Sequence, residues 1–225
     1  MTPRVALVVM AKVPEAGHVK TRLCPPLTPD EAASLARCFL LDRVEQLGEV
    51  ADSDTMVAFA PRDRAAEMRA LVPVSVRLVS QEGADLGARL DRVLTDLLAE
   101  GYRAAIAVDA DSPTLPTRYL RRACAELRDG AADVVVGPCE DGGYYLIGLR
   151  VPVPALFADM PWSTSAVTAE TLVRARRLGL RLALLPSWFD VDRAADLARL
   201  RVVTTPEAFR PTRTRAFLDS IRTTA

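Results

Sequence analysis

Val5-Ala-Leu-Val-Val-Met10-Ala-Lys-Val-Pro14-Glu-Ala-Gly17-His-Val-Lys20-Thr-Arg-Leu23 reads as a strand running straight into a polar loop, and that reading decides the fold. Residues 5–10 are apolar at every position, not at every second one, so the strand must be covered on both faces. Residues 55–60, 74–79, 104–108, 133–137, 144–149 and 181–185 also read as strands, several of them apolar at every position. Between these runs, residues 28–50, 62–71, 86–100, 116–128 and 165–178 carry apolar positions at helical spacing. Thr28-Pro29-Asp30-Glu31 is a capping box with proline at the first helical position, and Gly101, Gly130 and Gly179 fall where helices should stop. Alternation of this kind predicts an α/β fold in three layers, a mainly parallel sheet with helices on both faces. No linker or repeat interrupts it, so residues 1–225 are expected to form one domain. The tail from Val202, with Pro206 and Pro211, offers a weakly amphipathic 212–224 as a short terminal helix or a frayed end.

Composition narrows the function. Lys+Arg and Asp+Glu number 29 each, the formal charge is zero, and the basic residues are dispersed among acids. This is no footprint for a nucleic acid or an anionic membrane. The first apolar run is too short for a signal segment, and nothing later approaches a spanning helix, so a cytoplasmic protein is expected. The four cysteines, Cys24, Cys38, Cys124 and Cys139, are far apart without a nearby histidine, which predicts neither a zinc site nor a disulfide framework.

In a parallel sheet, ligands lie beyond the carboxyl ends of the strands. The loop after the first run holds both lysines of the chain, Lys12 and Lys20, with the single histidine, His18, between them. All other basic residues are arginine. A compact ammonium suits a phosphate oxygen that changes position, whereas arginine's fork suits a static grip; an accident of an arginine-rich composition explains the same letters. The loop contains neither Gly-x-Gly-x-x-Gly nor a P-loop.

Acids stand after three further runs. Asp109-Ala110-Asp111-Ser112-Pro113 places two carboxylates one residue apart, pointing the same way from an extended end, a pair able to share Mg2+ or Mn2+ with phosphates. Otherwise they end the strand and cap a helix beginning near Leu115. Asp141-Gly142-Gly143 is either a hairpin turn or a source of one more acid, and in Asp190-Val191-Asp192 the second aspartate could cap a helix that exposes Asp196. Gly83 to Arg89 could hold a ribose or base edge through Asp85, or simply start a helix with an acidic first turn. Trp162, with Ser163 and Thr164, could wall an acceptor pocket or bury itself before the next helix. Cations for phosphates and acids for a metal on one rim are the two halves of a site for a nucleoside di- or triphosphate.

A resemblance sharpens this. Ala11-Lys12-x-Pro14-x-x-Gly17-x-Val19-Lys20-Thr21-Arg22-Leu23, Gln81-x-Gly83-x-Asp85-Leu86-Gly87-x-Arg89, Asp111-Ser112-Pro113-x-Leu115-Pro116, Gly137-Pro138-x-x-Asp141-Gly142-Gly143-Tyr144, Pro161-Trp162-Ser163-Thr164 and Asp190-Val191-Asp192-x-x-x-Asp196-Leu197 together resemble a family of short bacterial proteins. That family is assigned as glycosyltransferases, of the arsenosugar-biosynthesis type, within the nucleotide-diphospho-sugar transferase superfamily. The resemblance implies the GT-A fold and an enzyme. Ala11, Lys12, Gly17, Lys20, Arg22, Asp85 and Arg89 would bind the nucleotide. Asp111, Asp109 and Asp192 would bind Mg2+ or Mn2+. Trp162, Ser163, Gly143 and Tyr144 would meet a small-molecule acceptor, with Asp141 or Asp190 positioning or deprotonating its hydroxyl. The superfamily also contains nucleotidyltransferases. Glycosyl transfer from a nucleotide sugar is the first expectation, and nucleotidyl transfer from a nucleoside triphosphate to a phosphorylated small molecule, with Lys20 on the α-phosphate, is the alternative. A nucleotide-binding regulatory module without turnover is a third reading, which would not need several acids at one rim. Asp109 departs from the pattern of many relatives, which have an uncharged residue there, and the first loop lacks the glycine-rich base-binding segment common in nucleotidyltransferases.

Overall fold

The computed structural model describes residues 4–203, 205 and 207–221. Seven strands form a single sheet: β1 (Val5–Lys12), β2 (Ser53–Ala60), β3 (Arg77–Ser80), β4 (Ala104–Val108), β5 (Val134–Pro138), β6 (Tyr144–Leu149) and β7 (Leu182–Leu184). Among the described residues the α-helices are α1 (Pro29–Gly48), α2 (Ala65–Leu71), α3 (Leu86–Ala99), α4 (Thr117–Arg128), α5 (Val167–Arg177), α6 (Ala194–Val202) and α7 (Thr212–Ser220).

The expected α/β architecture is the one found. Strand order is β3-β2-β1-β4-β6-β5-β7, and among the described residues only β6 runs against its neighbours. Alternate strand residues serve opposite layers. Val5, Leu7 and Val9 face Leu40, Val44 and Leu47 of α1 and Leu120 of α4. Ala6 and Val8 face Leu90, Val93 and Leu94 of α3. This two-sided burial is what the unbroken apolar runs require. A third cluster joins the first half of α1, through Leu35 and Phe39, to α6 and α7 through Leu197 and Leu218. The chain runs from β1 outward to β2 and β3, then returns to place β4 on the other side of β1. That reversal opens a crevice beyond the carboxyl ends of β1 and β4.

Some boundaries move. β3 starts at Arg77, not near residue 74, because Val76 N donates to Pro73 O in a turn that leaves Val74 91% exposed. The expected 62–71 helix opens with a tighter turn over Arg62–Arg64 before α2. The terminal helix forms as α7, and residues 222–224 of that expectation lie outside the described residues, as does Pro206.

Candidate nucleotide and metal site

The loop after β1 is shaped by two left-handed residues, Gly17 (φ 78°) and Lys20 (φ 49°). For glycine this conformation carries no Cβ penalty; for lysine it is unfavourable unless the surroundings hold it. Lys20 is held. Its Nζ donates to Asp192 Oδ1 at 2.7 Å and to Val191 O at 2.8 Å, and is ion-paired with Asp111 Oδ1 at 2.7 Å. The ammonium also sits 5.7 Å from the centre of the Phe39 ring, and only 7% of the side chain is exposed. Burial opposes the charge, yet the two carboxylates outweigh it and the Lys20 pKa is raised above its ordinary value. Asp111 and Asp192 themselves remain 44% and 39% exposed. Val191 N donates to Asp111 O at 2.8 Å, tying the loop after β4 to the loop before α6.

Neither aspartate acts as a helix cap. α4 begins at Thr117 without a side-chain cap, and at α6 it is Asp196 that accepts from the amides of Asp192 and Arg193, at 3.0 and 2.7 Å. Asp109 is placed differently from Asp111. Its Oδ2 accepts from Ser112 Oγ at 2.7 Å, and its Oδ1 faces Arg43 Nη2 at 3.4 Å. Burial, opposed by Arg43 and reinforced by Asp111, pushes the Asp109 carboxyl up to about 7. Arg43, from α1, is fully buried and also donates to Asp109 O at 3.1 Å and Ser112 O at 2.6 Å. Beside it Gln46 accepts from Arg43 Nη1 and donates to Leu115 O at 2.5 Å. Arg43 and Gln46 thus grip three carbonyls of the 109–115 loop from beneath. Sequence reasoning missed both. The signal was present: two polar residues on the stripe of Leu40, Val44 and Leu47, where apolar ones belong.

Two cavities meet at this point. One, of about 370 Å³, lies over β1 and is lined by Ala11, Lys12, His18, Lys20, Arg22 and Arg89. Gln81 closes its floor, with Nε2 donating to the carbonyls of Ala11 and Ala58 at 3.1 and 2.7 Å. The other, of about 580 Å³, lies over β4 to β7 and is lined by Asp109, Asp141, Gly143, Tyr144, Trp162, Ser163 and Asp190. Arg22, Leu86, Asp111 and Asp192 belong to both walls. Gly17 and Asp85 line neither: Asp85 is exposed and caps α3, its Oδ1 accepting from Ala88 N at 2.8 Å, so the helix-start reading is the geometry observed.

On the second side, Asp141 sits in the expected hairpin turn and accepts from Gly143 N at 2.8 Å. Burial, with Asp192 and Asp141 adding to it, lifts Asp190 to about 6. One ligand atom each from Cys139, Asp141 and Asp190 lies within 4.8 Å of the other two, a grouping the cysteine spacing gave no sign of. Burial raises the Cys139 thiol. Trp162 meets Tyr144 edge to face at 6.3 Å, and both the indole N–H and the phenol hydroxyl are buried with no partner among the described residues.

Residues 43–164 match the model of a bacterial family described as an uncharacterized protein conserved in bacteria, DUF2064. The chain belongs to the DUF2064 family. A Desulfovibrio desulfuricans G20 protein assigned as a nucleotide-diphospho-sugar transferase is 31% identical, with a TM-score of 0.89 over 97% of this chain and 95% of that one. The 2-phospho-L-lactate guanylyltransferase of Methanothermobacter thermautotrophicus (strain Delta H) is 28% identical over 190 residues, 81% of this DUF2064 chain and 78% of its own. Rv0371c of Mycobacterium tuberculosis H37Rv, solved with manganese, shares the fold alone, at 19% identity and a TM-score of 0.54 over 89% and 98% of the two chains. The superfamily and the transferase class expected from the motifs therefore stand; a glycosyltransferase in particular is not what these relatives share. No helix among the described residues is long and apolar enough to cross a membrane.

The Trp162 wall of this DUF2064 protein can be tested directly. A Cβ on Gly87 would lie 2.7 Å from Phe157 O and 2.8 Å from the Trp162 ring. Gly87→Ala gains up to about 1 kcal/mol of helix propensity, but overpacking against a backbone carbonyl costs about 1–3 kcal/mol, so a net loss is expected. The emission of Trp162, one of two tryptophans, should shift. An unchanged spectrum at full stability would contradict the packing described.

Proposed function

We propose that this protein is a divalent-metal-dependent nucleotidyltransferase, which joins the nucleotidyl group of a nucleoside triphosphate to a phosphorylated small molecule and releases pyrophosphate. The observation that carries the reading is the meeting of two cavities, one cationic and one acidic, at a pair of converging carboxylates. A nucleotide in the first cavity would reach the acceptor in the second across Asp111 and Asp192. The guanylyltransferase similarity over most of the chain favours nucleotidyl over glycosyl transfer, reversing the order drawn from sequence.

The donor set fits the ion. Asp111 Oδ1 and Asp192 Oδ1 converge on a single point, and hard carboxylate oxygens with water on their open side suit Mg2+ or Mn2+. Such an ion, when bound, neutralises charge on the triphosphate and its leaving group. Lys12, Lys20, Arg22 and Arg89 would hold phosphate oxygens in line for attack. An acceptor phosphate oxygen bonds to the α-phosphorus as the bond from that phosphorus to the β-phosphate bridge breaks, and pyrophosphate leaves with the bonding pair. Arg22 lines both cavities and could bridge donor and acceptor. Tyr144 and Trp162 line the second cavity and would wall the acceptor. The glycosyl reading keeps one supporting observation, Asp190 near neutrality beside Asp141, since a hydroxyl acceptor needs a base and a phosphate does not.

The leaving group separates the two readings. We expect Mg2+- or Mn2+-dependent pyrophosphate from a nucleoside triphosphate offered with a panel of phosphorylated acids and sugar phosphates, and no nucleoside diphosphate from nucleotide sugars. The opposite pattern would restore glycosyl transfer.

A further inference from the structure

Three acceptors surround the Lys20 ammonium: it donates to Asp192 Oδ1 and to the Val191 carbonyl, and it is ion-paired with Asp111 Oδ1. In this posture its charge is directed at the carboxylates and not at a phosphate. The two carboxylate oxygens are each 2.7 Å from the same nitrogen. A Mg2+ ion held by both carboxylates would need the same two oxygens that Lys20 now engages. The ammonium and the ion compete for one place.

We infer that Lys20 is the resident counter-ion of the metal-binding carboxylates, exchanged for a divalent ion only when nucleotide phosphates arrive to receive its ammonium. This rests on the metal site of the proposed function but not on which bond is transferred. The exchange has structural support on each side. Lys20 lines the cavity that holds Lys12, Arg22 and Arg89, so phosphates there would lie within the sweep of its side chain. Its backbone is in the left-handed region, which is unfavourable for lysine, so a rearrangement of the loop that lets this φ relax would release local strain. Upstream, Gly17 is left-handed with nothing near its missing Cβ, leaving the loop room to adjust. The inference also accounts for lysine in a chain that otherwise uses arginine: a slim, rotatable ammonium can take the place of an ion and then leave it, while a planar guanidinium of greater bulk cannot fill a point between two carboxylates in the same way.

Metal and nucleotide binding must then be coupled. Metal alone has to displace an ion-paired lysine that would have only water, and the other cations of the cavity, to meet. Metal with a triphosphate gives the lysine new partners.

Because the chain has only two lysines, 15N-lysine labelling gives at most two ammonium signals, Lys20 held by three acceptors and Lys12 exposed to solvent. Millimolar Mg2+ alone should leave the Lys20 signal in place, whereas Mg2+ with a non-hydrolysable α,β-methylene triphosphate, tried with each of the four common bases, should move it. A Lys20 signal unmoved at saturation with Mg2+ and analogue, or moved as readily by Mg2+ alone, would overturn the inference. In parallel, Lys20→Met should bind Mn2+ without nucleotide more tightly than the parent by about tenfold, read from free Mn2+ by electron paramagnetic resonance. Equal or weaker binding by a folded variant would also overturn it, and the labelled parent decides the matter should the variant not fold. Neither readout needs turnover. Pyrophosphate formation with an unmoved Lys20 would sink this inference alone, and a coupled exchange without pyrophosphate would sink only the proposed reaction.

Discussion

Asp111→Asn should lower metal-dependent pyrophosphate release by more than about 100-fold, since loss of a metal's own ligand should exceed the 10–100-fold typical of residues that merely support one. The carboxylate is 44% exposed and anchors no helix, so the unfolding temperature should hardly change. Asparagine keeps the shape but offers a neutral oxygen, which weakens both the hold on a divalent ion and the pairing with Lys20. Asp109→Asn should do less damage to turnover, because that carboxylate is already committed to Ser112 and Arg43. Turnover assays with Mg2+ and Mn2+ titrations on both variants provide the check. Parental activity in Asp111→Asn would remove the residue from the metal site.

Arg43→Met should destabilise the fold by about 3–5 kcal/mol, the range found when one partner of a buried ion pair is removed. Arg43 is fully buried, and its loss would strand Asp109 and two carbonyl groups that accept from it. Burial already pulls the guanidinium pKa down, partly countered by Asp109 and Asp111, so little of its charge energy is shared with solvent. Adding Asp109→Asn should recover part of the loss, because a neutral amide no longer needs the guanidinium. Denaturant unfolding of the parent, both single variants and the double variant closes the cycle. A loss under about 1 kcal/mol for Arg43→Met would fall in the range of an exposed pair and exclude the buried grip.

Much of the fold was legible because two-sided strands leave an unbroken apolar record: the runs at 104–108 and 144–149 have the bounds of β4 and β6, and the run at 5–10 opens β1, which continues through Lys12. β3 did not, since Val74 and Val76 flank a proline turn and only local backbone geometry separates a turn from a strand there. The cationic loop and the acids at strand ends were also legible as chemistry. Their pairing was not: Lys20 and Asp192 are 172 residues apart, and only the sheet order brings them together. The same limit applies to Arg43, whose partner Asp109 lies 66 residues on. Asp85 shows the converse, a residue whose letters suited a ligand and a helix cap equally and whose backbone geometry serves the cap.

Under the proposed function, the one reversed strand among the described residues separates two tasks by how they are encoded. The phosphate-facing half rests on β3, β2, β1 and β4, joined by long crossovers buried in the layers, where an insertion would disturb packing on both faces. The acceptor-facing half hangs on β6, whose direction puts the Asp141–Gly143 tip of a tight hairpin at the mouth of the second cavity. Hairpin tips tolerate lengthening and exchange far better than crossovers do. Under the proposed function, such an architecture would let acceptor choice change by local edits at the hairpin without disturbing the strands that carry the phosphate-facing loop.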